Sequence, residues 1–121
     1  MPKILVADDD PRMVRLITMT VPDTYEVVQA TNGTDAIRVA EEFVPDLVLL
    51  DVNMPQLNGF EVLRSVRQSP KLTSTKVVMV TARSDETDRN LGKQLGADEY
   101  LTKPFSPLAL LRTINELLGE A

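Results

Sequence analysis

A chain of 121 residues is expected to form one domain, residues 1–121, and is long enough to bury a core without staples. It contains no cysteine and no histidine, which excludes disulfides, thiolate metal sites and any histidine general base of its own, and suits a reducing compartment. With 18 acidic against 13 basic residues, a net charge of −5 and no basic stripe, it lacks the footprint of a nucleic-acid binder. The amino-terminal apolar run Ile4 to Ala7 is too short for a signal-peptide core or a membrane span, so a cytoplasmic protein is the expectation.

Lys3 to Ala7 reads as a short apolar strand running into Asp8, Asp9 and Asp10. Asp10 fits an N-cap and Pro11 the first position of a helix to about Val21. That helix carries Met13, Val14, Leu16, Ile17, Met19 and Val21, more apolar residues than one core-facing stripe needs. The plain account is a well-buried helix; the sharper one is a docking surface for a partner helix beside Asp9. Tyr25 to Ala30 is a second strand, Asn32-Gly33 a turn, and Thr34 to Glu42 an amphipathic helix with Ala36, Ile37 and Ala40 inward, ended by Pro45.

Leu47 to Leu50 are four apolar residues with no polar interruption, the mark of a strand buried on both faces, and Asp51 stands at its carboxyl end. A third helix begins near Gly59, packs through Phe60, Leu63 and Val66, and stops at Ser69-Pro70. Lys76 to Val80 is a fourth buried strand with Thr81 at its end. The helix from about Asp85 to Gln94, capped by Ser84, is weakly apolar, with Leu91 and Leu95 as anchors and Gly92 as an interruption, and is expected to be loosely held. Glu99 to Thr102 is the last strand, followed by Lys103-Pro104-Phe105. Ser106 caps and Pro107 starts a final helix with Leu108, Leu111, Ile114, Leu117 and Leu118 as its apolar face. Strand followed by helix, five times over, requires right-handed crossovers and an α/β doubly wound parallel sheet.

In such a sheet the strand ends carrying Asp8 and Asp9, Asp51, Thr81 and Lys103 lie along one edge, where open sheets bind ligands. Three crowded carboxylates would repel one another, so a hard divalent cation among them makes physical sense. Mg2+ fits best, because it accepts oxygen ligands and keeps waters and phosphate oxygens, whereas Ca2+ would want more protein oxygens. Three carboxylates contribute about −3, and Mg2+ with Lys103 about +3, leaving a hole neutral enough for a phosphoryl group that Asp51 could accept.

The segments LVADDDP, LLDVNMPQLNGFEVL, VVMVTA and GADEYLTKPF together resemble the receiver domain of response regulators, the CheY-like phosphoacceptor domain of two-component systems, over essentially the whole chain. The resemblance implies a flavodoxin-like (βα)5 fold with strand order 2-1-3-4-5. It implies that Asp51 is the phosphoacceptor, that Asp9 binds Mg2+ directly, that Asp8 reaches the ion through water or stands behind its ligands, and that Asn53 ligates through its backbone carbonyl. It further implies that Lys103, followed by a cis bond to Pro104, holds a phosphoryl oxygen and that Ala82 offers its backbone N–H. Thr81 would swing toward the phosphoryl group, and Tyr100 would turn inward behind it. The implied donor is a sensor histidine kinase or histidine phosphotransfer protein. The implied output is a changed α4-β5-α5 surface read by an output domain or downstream protein, with no direct nucleic-acid or membrane binding, and the domain is a switch, not a turnover enzyme. By the same resemblance, Asn53 and Arg83, two residues past Asp51 and Thr81, would flank the phosphoryl group and affect its lifetime.

Each of these residues also has an ordinary reading. The acids suit a helix N-terminus, Asp51 a turn, Thr81 a strand end, Tyr100 packing and Lys103 a solvated surface. Taken jointly, those readings need too many coincidences on one edge. An aspartate-nucleophile hydrolase would want a second acid two residues after Asp51, where Asn53 cannot protonate a leaving group. A phosphorylation-independent interaction module would have lost part of the acid, threonine and lysine set, which is intact. A flavin or nucleotide binder would need a glycine-rich loop after the first strand in place of the acids.

Overall fold

The computed structural model describes residues 2–82 and 86–119. Five parallel strands, β1 (Lys3–Ala7), β2 (Glu26–Ala30), β3 (Leu47–Asp51), β4 (Lys76–Thr81) and β5 (Glu99–Thr102), form one sheet in the order β2-β1-β3-β4-β5. They alternate with α1 (Pro11–Thr20), α2 (Gly33–Phe43), α3 (Gly59–Gln68), α4 (Glu86–Gln94) and α5 (Pro107–Leu118). Strand β3 lies at the centre with all five residues buried, as its uninterrupted apolar run requires when both faces are covered. Ala7 pairs with Ala30 and Leu50, Asp51 with Val80, and Thr81 with Thr102, so the carboxyl ends of all five strands share one rim.

Alternation along each strand splits the core in two. Leu5, Val48, Leu50, Val77 and Met79 pack under α2 and α3, with Tyr100 and Leu95 at that margin. Ile4, Val6, Leu47, Leu49, Val78 and Val80 pack under α1 and α5. Helix starts follow the sequence signals. Asp10, Asn32 and Ser106 each accept a backbone N–H of the first turn, and Asn58 and Glu61 form a reciprocal capping box ahead of α3.

Several expectations need correction. Asn32-Gly33 is not a free turn: Asn32 caps α2 and Gly33 is its first residue. A Cβ on Gly33 would meet the backbone oxygen of Leu57, so the amino end of α2 sits directly on the loop after β3. In α5 the buried seam is Leu110, Thr113 and Ile114, while Leu108 is 63% exposed and Leu111 only half-buried. Ile114 of the expected face is buried, and Leu117 and Leu118 pack half-buried on the same core, so only the first turn differs, where Leu108 to Leu111 are all apolar and periodicity has nothing to choose by. In α1, Met13, Ile17 and the capping Val21 are buried, Val14 and Leu16 pack half-buried against the same core, and of the named residues Met19 lies open at 79% exposure.

Leu91 does not anchor α4, since it is 38% exposed. The residue of α4 that faces inward is Gly92, and Leu95 lies in the turn beyond it, half-buried. The expected cap Ser84, with Arg83 and Asp85, lies outside the described residues. The loop after α4 is firmly tied. Arg67 donates to the Gly96 carbonyl at 2.8 Å, the Thr75 carbonyl at 2.7 Å and Asp98 Oδ2 at 2.7 Å, while Asp98 also accepts the Val77 N–H at 2.8 Å.

Candidate functional site

The rim is built by backbone bonds that hold each strand end in place. The Asp8 N–H donates to the Ala30 carbonyl at 3.0 Å, the Val52 N–H to Val80 at 3.0 Å, and the Lys103 N–H to Thr81 at 2.7 Å. Below Asp51 the Gly59 N–H donates to the Val52 carbonyl at 2.9 Å, and a Cβ at position 59 would strike the Asp51 carbonyl oxygen. Glycine is therefore required there to let α3 start against the backbone of Asp51. The side chain of Gln29 donates to the Asp8 carbonyl at 3.0 Å. Gln29 could not be singled out from sequence, because its partner lies on the neighbouring strand, and Gly59, read there only as a helix start, meets the Asp51 backbone once the loop folds back on β3.

On this frame Asp8, Asp9 and Asp51 bring carboxylate oxygens within 4.8 Å of one another, the spacing of groups that share one cation. Asp8 and Asp51 are buried and Asp9 is exposed. Both oxygens of Asp8 are engaged: Oδ1 accepts the Asp10 N–H at 2.9 Å and Oδ2 accepts Lys103 Nζ at 3.0 Å. Asp51 Oδ1 accepts the Asn53 N–H at 3.3 Å. The Asp51 carboxyl is pushed up to about 6, first by burial and then by the neighbouring Asp8 charge. Lys103 and the Asn53 N–H pull the other way, and Asp9 adds a further upward push. An all-oxygen, net-negative cluster whose members resist ionising together fits a hard cation such as Mg2+, and no cysteine or histidine stands by to favour a softer one.

Thr81 is fully buried at the end of β4, and Ala82 follows, exposed. The Lys103–Pro104 peptide bond is cis. Tyr100 stands opposite Met79 in β4, two residues down-strand from the rim, and the guanidinium of Arg89 from α4 lies over its ring at 5.2 Å from the centroid. Arg89 is a neighbour of Tyr100 that the chain's local pattern had not marked, since an arginine on an exposed helix face carries no signal of its own.

Residues 4–115 match the family model of the response regulator receiver domain, and the chain belongs to that family. It is a receiver domain of two-component response regulators, a phosphorylation-activated signalling switch. Among its relatives, Protein PilH of Pseudomonas aeruginosa is 40% identical over 120 residues, covering 98% of this chain and 99% of that protein. The alkaline phosphatase synthesis transcriptional regulatory protein PhoP of Bacillus subtilis is 40% identical over 117 residues, covering 96% of this chain but 48% of PhoP, so this chain spans about half the length of that relative. Among solved structures, the chemotaxis protein CheY4 of Vibrio cholerae superposes with a TM-score of 0.89 at 34% identity, over 97% of this chain and 98% of that one. The receiver domain of a Pseudomonas aeruginosa sensor histidine kinase, solved with a magnesium ion coordinated in its active-site cleft, superposes with a TM-score of 0.87 at 28% identity, over 98% of both chains. Among the described residues, no helix is long and apolar enough to cross a membrane.

Proposed function

We propose that residues 1–121 act as one phosphoacceptor unit in the cytoplasm, in which Asp51 takes a phosphoryl group from the phosphohistidine of a sensor kinase or histidine phosphotransfer protein. The observation that carries this reading is the gathering of Asp8, Asp9 and Asp51 within reach of one ion, with Lys103 at 3.0 Å from Asp8. An oxygen of Asp51 attacks phosphorus in line as the phosphorus–nitrogen bond to the donor imidazole breaks, its electron pair leaving with the ring, and an acyl phosphate results. Mg2+ would be held by Asp9, Asp51 and the Asn53 carbonyl, with Asp8 reaching it through water or standing behind its ligands, and would supply positive charge against the carboxylates and phosphoryl oxygens. Lys103 exchanges Asp8 for a phosphoryl oxygen, and the Thr81 hydroxyl and Ala82 N–H meet the others.

Drawing Thr81 toward the phosphoryl group opens room behind it for Tyr100, and the gain is spent on shifting the α4-β5-α5 surface that a downstream partner reads. Later attack of water on phosphorus breaks its bond to the Asp51 oxygen and releases inorganic phosphate and the free carboxylate, so each event resets a switch and the domain is no turnover enzyme. Arg83, proposed to tune the lifetime of the acyl phosphate together with Asn53, lies outside the described residues.

The test is incubation with a small acyl-phosphate donor, with and without Mg2+, followed by intact mass. The expected result is a metal-dependent gain of one phosphoryl group that Asp51→Asn abolishes. No gain in the unmodified protein would overturn the reading.

A further inference from the structure

The peptide unit between the two amino-terminal acids of the rim is held by a side chain from the edge of the sheet. Pairing of β1 with β2 ends on the Asp8 N–H, which donates to the Ala30 carbonyl at 3.0 Å. Two residues past Ala30, Asn32 caps α2, so the chain beyond β2 has turned away where the Asp8 carbonyl stands. Gln29 supplies the next rung from its side chain, its Nε2 donating to that carbonyl at 3.0 Å. Gln29 pairs in register with Val6, two residues short of Asp8, a rise of about 6.6 Å that a glutamine side chain and its hydrogen bond cover.

The Asp8 carbonyl and the Asp9 N–H belong to one planar unit, so holding that oxygen fixes the direction in which the chain enters Asp9. Asp8 is buried, with its carboxylate oxygens taken by the Asp10 N–H and by Lys103, whereas Asp9 is exposed. Packing therefore does little to aim Asp9, and the backbone beneath it must. We propose that Gln29 is a positioning residue for the cation: by clamping the peptide between Asp8 and Asp9 it sets the Asp9 carboxylate at the spacing a small ion requires, and so favours Mg2+ over Ca2+ at the rim. The proposal rests on the reading of the three acids as a Mg2+ site. Mg2+ demands near-octahedral geometry with bonds of about 2.0 to 2.1 Å, while Ca2+ accepts irregular shells at about 2.3 to 2.6 Å, so loss of the clamp falls mainly on the smaller ion. Gln29 carries no charge, and its effect on the two ions comes through geometry.

The test is titration of the unphosphorylated chain with Mg2+ and, separately, with Ca2+, followed by the backbone amide shifts of residues 8–10 and 51–53. Gln29→Met keeps the length and neutrality of the side chain and removes its donor. It is expected to weaken Mg2+ binding about two- to tenfold, the range one net hydrogen bond carries, and Ca2+ binding by much less, so that the preference for Mg2+ falls by nearly the same factor. Gln29→Leu should behave alike. Val27→Ala trims a core-facing side chain of the same strand and leaves the clamp in place, so it should lower the urea midpoint while keeping the ratio of the two affinities at the parent value.

Equal weakening of both ions by Gln29→Met, or a ratio that Val27→Ala moves as far, makes the role of Gln29 merely structural and overturns the proposal. Unchanged Mg2+ binding by Gln29→Met overturns it too, and leaves the acceptor reading intact. A parent protein that binds no Mg2+ at the rim overturns both the proposal and the metal site on which it rests.

Discussion

Helices α4 and α5 flank β5 from opposite faces of the sheet and are held in different ways. α5 inserts Leu110, Thr113 and Ile114 into the core, starts on a Ser106 cap whose Oγ accepts the Ala109 N–H at 3.1 Å, and ends on Gly119 in the left-handed region at φ 71°. α4 buries Gly92 alone, and a cleft of about 430 Å³ opens between it and β5, lined in part by Arg89, Asn90, Lys93 and Tyr100. Among its ties are the contacts of Arg89 with Tyr100 and Thr102 of β5 and the Arg67 hydrogen bonds in the loop beyond it. Burying a Leu or Ile side chain stabilises a fold by about 1.5 to 3 kcal/mol. α5 has that support twice and α4 lacks it, so α4 can shift at small cost while the sheet stays whole. A switch needs both kinds of helix, one to keep the rim rigid and one to move.

The largest expected effect tests the contrast directly. Leu110→Ala should cost about 2 to 5 kcal/mol of unfolding free energy, the range for a truncated core leucine, whereas Leu91→Ala should stay within about 0.5 kcal/mol, as for other surface substitutions. Urea denaturation of the two variants measures both, and equal losses would break the comparison.

A shift of α4 has use only if the rim it borders holds free energy that a ligand can release, and Asp51 is where that can be measured. Its carboxyl lies near 6 in the folded, metal-free chain against 3.8 when unperturbed. Between those values the folded state binds the extra proton, so this group's contribution to stability is complete below about 3.8 and is lost as pH rises through 6. Unfolding free energy in a chelator should fall by about 2 to 3 kcal/mol from this group between pH 4 and 7, a shift of two pH units at about 1.4 kcal/mol each. Asp51→Asn should be flatter across that window and more stable than the parent at pH 7. Parallel pH profiles for the two proteins would show that the rim stores nothing at Asp51.

The smallest effect sharpens the contrast from the other side. A Cβ at position 92 would meet Met79, Tyr100 and Phe60 at 3.6 to 3.7 Å, ordinary van der Waals distances. Gly92→Ala should therefore stabilise the protein by about 0.5 to 1 kcal/mol through backbone entropy alone. Amide exchange across residues 86–94 should slow with it. Loss of stability in this variant would mean that α4 already packs as closely as α5.

Much of the architecture was legible in the chain as written. Unbroken apolar runs at Leu47 to Leu50 and Lys76 to Val80 announce strands covered on both faces, and Asp10, Ser106 and the prolines after them mark helix starts, because those signals act over a few residues. The acids after β1, Asp51, Thr81 and Lys103 could be placed on one rim for a similar reason: a parallel sheet with right-handed crossovers leaves its strand ends nowhere else to go.

Only the tertiary structure decided which side chains meet. At the start of α5 Leu108 to Leu111 are all apolar, so periodicity could not choose between Leu108 and Leu110, and contact with α1 and the sheet did. Gly92 reads as a helix interruption until Met79, Phe60 and Tyr100 are seen against it. Lys103 pairs with Asp8, 95 residues away, and Arg89 finds Tyr100 across a strand boundary. Local propensity is carried by neighbours in the chain, whereas charge pairing and stacking are settled by distance in space, and those distances exist only once the sheet has formed.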